Sequence, residues 1–320
     1  MGGPYLPPTA GLGGRPNKSV DVPITSVFLV LFICGAVTHM TIFQMNKRRG
    51  HKFILNGLMF GFCMARTVAC TMRLVWATHL HNVRIAIAAQ IFVAAAVVLL
   101  WIVNLIFAQR IVRAQHSYFA WQKWFGLVIK LLIVTIILGI AAVITCVIQS
   151  FYTLDKNILR IDLDVQHVVT TYFAFIAFLP LPLLALRLVL PRKVPTEKFG
   201  EGRMKTKIAL LIFTSTILTL GAAFRSGIGY VPRPASNPAW YHSKACFYLF
   251  NFTIEITVVF LYAVFRVDKR FHVPNGSKAP GDYSKGAGLV GKTSLDERIT
   301  DEEHAIPREK MDGANQVRGS

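Results

Sequence analysis

The chain has 320 residues, 53% hydrophobic and only 16% charged, a balance that points away from a soluble protein. Its formal net charge of +19 raises the question of nucleic acid, but residues 266–320 hold ten Lys and Arg against nine Asp and Glu. Nearly all the basic excess therefore lies in short loops between apolar runs, where it is an orientation signal in a lipid bilayer, and no nucleic-acid partner is expected.

Residues 1–22 are rich in Gly and Pro and contain no apolar stretch with a cleavage site, so they are expected to be a disordered tail and not a signal peptide. Seven apolar runs follow, near 23–45, 53–78, 85–108, 125–152, 165–190, 208–230 and 245–265. Each is long enough to cross a hydrocarbon core of about 30 Å at about 1.5 Å per residue. The expected fold is all-α, a polytopic membrane protein with a seven-transmembrane helix bundle over residues 23–265. Gly57 and Gly61 have the spacing that lets helices approach closely, and Pro180 and Pro182 should bend the fifth span. Beyond Phe265 the chain turns polar, with Phe271 and Tyr283 as its aromatic residues, so 266–320 are expected to be a second disordered tail. Removal of residues 280–320 should then leave insertion and stability almost unchanged.

The loops orient the bundle. Sixteen Lys and Arg, among them Lys47, Arg113, Lys198 and Lys269, fall on one side, against seven, among them Arg84, Arg160 and Arg233, on the other. The richer side is expected to be cytosolic, with the N-terminus outside and the C-terminal tail inside. The expected location is the plasma membrane or a membrane of the secretory pathway.

A charge within a span is costly unless it is paired, hydrated or able to snorkel, so Arg66, Arg73, Lys130, Arg187, Arg225 and Glu255 need partners or an exit. Lys130 and Arg187 sit near the cytosolic ends of their spans, where a long side chain reaches the headgroups. Arg66 and Arg73 share one face of span two with Cys63 and Cys70. Span seven aligns Tyr248, Asn251, Glu255 and Tyr262, and Glu255 is the sole acid within the predicted spans. A lone buried carboxylate needs a cation; Arg66 matches its depth best, with Arg225 and Arg73 as competitors. Further polar stripes suggest an outward-opening cavity lined by Arg73, Gln90, His167, Arg225, Asn251 and Glu255. The simpler reading of the same residues is interhelical hydrogen bonding without a ligand.

Several signals are discounted. Residues 286–293, GAGLVGKT, fit the phosphate-loop pattern but follow a polar segment instead of a buried strand. His79, His81, His167 and His242 all lie toward the outer side and raise a zinc site, yet their spacing is not that of a ligand set, and no metal is expected. His39 stands alone in the core of its span, which argues against haem, and no cofactor is expected. No catalytic residue stands out. The five cysteines read as packing residues; Cys146 and Cys246 both sit near outer helix ends, which leaves a disulfide between them open, since sequence does not give the geometry. Asn17-Lys18-Ser19 is a glycosylation sequon close to the first span.

The stretch GHKFILNGLMFGFCMARTVACTMRLVWATH, followed by NVRIAIAAQIFVAAAVVLLWIVNLIFAQRIVRAQH, resembles an uncharacterised family of fungal seven-helix proteins, sometimes labelled class-C-like G-protein-coupled receptors. The resemblance covers about residues 20–270 and is most distinctive around Arg66, Arg73, Asn104 and Arg110. It implies a receptor-like membrane protein coupled to a cytosolic G protein or other effector, and it names no ligand. The chain departs from better-known receptors, and its seventh span has no Asn-Pro-x-x-Tyr. Its N-terminal tail is too short for a class C ectodomain, and Gln109-Arg110-Ile111 stands where rhodopsin-type receptors have an acidic-Arg-Tyr triplet. The sequence thus leads to a receptor-like sensor of a small polar or amphipathic ligand. A transporter or lipid translocator using the same charges is the first alternative, and a zinc-dependent membrane hydrolase the second.

Overall fold

The computed structural model describes residues 3–5, 9–51, 53–189 and 196–284, apart from the side chains of residues 117, 118 and 187–189. The phosphate-loop pattern at 286–293 and the side chain of Arg187 lie outside the described residues. Among the described residues, seven helices are long and apolar enough to cross a membrane: α1 (Asp21–Arg48), α2 (Ile54–Thr78), α3 (Val83–Gln115), α4 (Lys123–Tyr152), α5 (Lys156–Leu186), α6 (Met204–Tyr230) and α7 (Lys244–Val264). They contain no strand, and the β-type pairing is one isolated bridge between Thr9 and Pro234. The protein is an all-α, multi-pass membrane protein.

Side-chain caps start three of these helices at the end of the bundle that holds the N-terminus. Asn82 Oδ1 accepts from the amides of Arg84 and Ile85, Asp155 Oδ1 from that of Asn157, and Ser243 Oγ from that of Cys246. Each cap satisfies amides that a helix leaves unpaired at its first turn. Three spans are irregular. The helical pattern of α3 is interrupted at Val97, and that of α5 at Leu179 just before Pro180, which has no N–H to donate. The third, α7, widens into a π turn over Leu249–Thr253.

A band of valine, leucine and isoleucine covers the outer surface, including Val27, Val30, Val37, Leu131, Ile137 and Leu138. Such a band suits a hydrocarbon surround. Inside, Phe32, Phe62 and Phe252 pack edge to face, and Phe107 packs on Tyr262.

Four expectations change. The expected start of α5 moves back to Lys156, so Asp162 and Asp164 lie within a helix, and Asp162 is buried. The apolar run marks where a helix meets lipid, whereas the helix continues past that boundary. The described part of the N-terminal segment is docked across one end of the bundle, with the amides of Tyr5, Ala10 and Gly13 donating to the carbonyls of Phe151, Arg233 and His242. Residues 266–284 pack at the opposite end, where Phe271 and Tyr283 are buried. These contacts replace the expected tail character for those residues, because a few aromatic anchors suffice on a preformed helical surface. Finally, Gly61 faces open space and a Cβ on Gly57 would make ordinary contact with the Phe43 ring at 3.9 Å, whereas the close helix approaches occur at Gly35, Gly139 and Gly221. All five cysteines are free, Cys146 and Cys246 included.

Candidate functional site: buried polar clusters along α7

At the N-terminal end, Asp21 opens α1 and is buried. Its carboxylate accepts from Arg73 at 2.6 and 3.0 Å, from Tyr248 Oη at 2.8 Å, from the amide of Asn17 at 2.8 Å and from the Lys244 ammonium. The first turn of a helix favours a carboxylate, and Arg73 and Lys244 supply its counter-charges. Arg73 lies over the Phe247 ring at 4.0 Å and donates to the Gly13 carbonyl. A Cβ on Gly13, whose φ is +77°, would collide with Phe247, so glycine is required where the N-terminal segment crosses.

One to two turns deeper, Arg66 and Glu255 form a two-point pair, Nε to Oε2 at 2.5 Å and Nη2 to Oε1 at 2.6 Å, with both residues fully buried. Arg66 Nη1 also donates to the Val93 carbonyl at 2.9 Å, and Phe62 and Phe252 close its guanidinium in. Arg225 approaches the same carboxylate, Nη1 to Oε1 at 3.5 Å. That nitrogen also donates to the Phe250 carbonyl and to Asn251 Oδ1, each at 3.2 Å. The π turn displaces α7 here and puts Phe250 and Asn251 within reach, while the small Gly221 lets the Phe250 carbonyl come within 3.0 Å of its Cβ position.

The third cluster joins α3, α6 and α7. Tyr262 donates to Asn104 Oδ1, whose amide donates to Ser215 Oγ at 3.0 Å, and Thr214 lies 3.1 Å from the tyrosine hydroxyl. Beyond α7, Asp268 pairs with Arg266 at 2.9 and 3.0 Å and accepts from Asn46 at 3.0 Å. Burial alone would raise the Asp268 pKa, but the Arg266 and Asn46 hydrogen bonds and the Arg266 charge outweigh it and hold the carboxyl below its usual range. Nearby, His272 lies 3.1 Å from His51, and burial, with His51 and Arg110 adding repulsion, pushes its pKa down. Arg110 donates to the Phe271 carbonyl at 2.5 Å and, with Arg113, His272 and Tyr283, lines a polar cavity of about 280 Å³.

The cavity lining expected from the sequence is divided. The structure brings Arg66, Arg225, Asn251 and Glu255 together. It places Arg73 in the separate Asp21 cluster, ties His167 to the Gly229 carbonyl at 2.8 Å and stacks it on Tyr230, and leaves Gln90 exposed. The reason is rotational: the six residues share a depth range, but their helices turn them in different directions. Asp21 escaped the sequence argument because it lies just outside the apolar run, although its position before that run is a helix N-terminal signal. Trp101 shares a stripe of span three with Gln90 and Asn104, whereas Ser215, a small hydroxyl within an apolar run, gave no signal that set it apart.

Fold and clusters together define a membrane protein with seven candidate spans among the described residues, the seventh of which contributes to three of the four buried polar clusters described. Residues 193–272 match a family model described as "Protein of unknown function (DUF3112)", a stretch that includes α6 and α7. No curated protein and no solved structure matches the chain.

Proposed function

We propose that the protein is a receptor-like sensor, with its N-terminus outside and its C-terminus in the cytosol, in the plasma membrane or a secretory-pathway membrane. A small amphipathic ligand acts near Arg225, and a G protein or another effector reads the cytosolic end. The observation that supports this reading is that α7 and its continuation reach all four polar clusters described, through Tyr248, Asn251 with Glu255, Tyr262 and Asp268. A shift of α7 at the π turn therefore alters contacts at Asn104 and at the packed segment 266–284. A ligand drives such a shift only by binding the two arrangements with different affinity.

A transporter would use the same charges as its pathway. A zinc hydrolase would need a ligand set, and among the described residues no three His, Cys, Asp or Glu side chains are grouped to hold a metal. The deciding experiment uses the protein reconstituted in lipid nanodiscs with a purified heterotrimeric G protein. Guanine-nucleotide exchange should accelerate, and Tyr262→Phe should change the acceleration. Lipid or solute flux in proteoliposomes without exchange would replace the sensor by a translocator, and stoichiometric zinc with hydrolysis would replace it by an enzyme. An epitope after Ser320 should be protected in sealed cells and one before Pro23 accessible; the reverse pattern overturns the orientation.

A further inference from the structure

The buried charges beside α7 do not balance. One carboxylate, Glu255, faces two guanidinium groups, Arg66 in a two-point pair and Arg225 at 3.5 Å, which leaves one positive charge over. Arg225 Nη1 is engaged by Phe250 and Asn251, but Nη2 is buried without a hydrogen-bond partner. Trp101, 3% exposed, lies beside it with the ring centroid 5.7 Å from the guanidinium carbon, and its indole N–H is also buried without a partner. Unpaired donors and a surplus charge are costly in hydrocarbon, and an anion that only accepts hydrogen bonds removes both costs.

Arg225 and Trp101 line one cleft of about 80 Å³, whose other walls are apolar groups such as Ala94, Val97, Val143 and Phe173 together with Thr170, whose hydroxyl donates to the Gln166 carbonyl of its own helix. Its size decides the kind of occupant. Pockets that enclose a whole small-molecule ligand run to roughly 300–1,000 Å³, whereas this cleft admits only a few water-sized groups. It can therefore hold a head group, with the rest of the molecule outside. The rim is formed by exposed Ala94 and half-buried Ile140 and Ile144, on α3 and α4, on the apolar outer surface of the bundle. A chain leaving the cleft there enters lipid. The small volume also disfavours a phospholipid, whose phosphate brings glycerol and a second chain with it.

We infer that this cleft binds the carboxylate of a long-chain fatty acid, with Arg225 and the Trp101 N–H as donors and the acyl chain leaving between α3 and α4. This names the ligand class of the sensor proposed above and rests on that reading for its consequence, while the binding stands or falls by itself.

The test uses the full chain in phosphatidylcholine nanodiscs and a long-chain fatty acid spin-labelled near its methyl end. Binding should saturate at one probe per chain. Esterifying the carboxyl or introducing Arg225→Gln should weaken it at least about tenfold, the scale of a lost charge-assisted hydrogen bond. Ala94→Trp should weaken it as much by filling the rim without touching a charge, and this variant keeps the test decisive if Arg225→Gln does not fold. Equal binding of the ester, or an Ala94→Trp variant that binds like the parent, would overturn the inference. So would displacement of the probe by phosphatidate in preference to unlabelled fatty acid. Loss of fatty-acid binding with nucleotide exchange intact removes the ligand assignment alone; binding without exchange removes the receptor reading alone.

Discussion

Glu255→Gln is the most informative single perturbation, because this one carboxylate is shared by two cations. The substitution removes the charge, leaves an amide group among Arg66, Arg225 and Asn251, and strands both guanidinium groups in a site where Arg66 and Glu255 are fully buried. Breaking a buried pair costs about 3–5 kcal/mol, somewhat less where lipid lets water in. Glu255→Gln is expected near the upper end of that range. Arg66→Met should cost less, toward the lower end, because Glu255 keeps Arg225 at 3.5 Å. The double variant should lose less than the sum by about 1–3 kcal/mol, the usual coupling of residues in one network. Arg225 remains without a counter-charge in it, so adding Arg225→Met should restore part of the loss. The assay is detergent-solubilised melting combined with titration of unfolding by a denaturing detergent. Single effects that add to within about 0.5 kcal/mol would refute the pairing. A larger cost for Arg66→Met than for Glu255→Gln would refute the shared carboxylate.

Three further outcomes are expected. Asp21→Asn strands Arg73 and should destabilise by about 3 kcal/mol in the same melting assay, with protease sensitivity appearing in residues 9–20. Gly200 has φ +53°, and a Cβ there would lie 2.2 Å from the Arg270 carbonyl oxygen; Gly200→Ala should therefore speed hydrogen exchange in 266–284 while the spans stay protected. Acidification should loosen that same segment in two stages. The lowered His272 pKa means its contribution is full above the ordinary histidine value of 6.5 and declines as pH falls below it. The lowered Asp268 pKa means its contribution persists down to the ordinary value of 3.8 and is lost as pH falls through the folded value. Exchange rates in 266–284 that do not change between neutral pH and pH ~3 would contradict this, given the ordinary pKa ranges of the two groups. Cutting the chain after residue 279 would remove buried Tyr283, which packs on Trp121 and Phe199, so the expectation that such a cut is silent no longer holds.

Seven spans were legible because bilayer thickness imposes a minimum apolar length on each, and hydropathy records length directly. The Arg66–Glu255 partnership was legible for a related reason: a buried charge must meet its opposite at its own depth, and depth along a helix follows from residue number. The Asp21–Arg73 pair was missed because Asp21 sits at the edge of an apolar run, where hydropathy draws a boundary and the helix does not. The π turn that brings Phe250 and Asn251 to Arg225 had no pattern to betray it, since π turns differ from α turns by one residue of slack. Nor could the sequence show that Arg225 and Trp101, each with a buried unpaired donor, line one cleft, while Gln90 is exposed and His167 is tied to the end of α6. Residue spacing determines how deep a side chain lies and which face of its own helix it shares. The direction that face takes depends on how the helices pack around one another, and only the tertiary structure decides it.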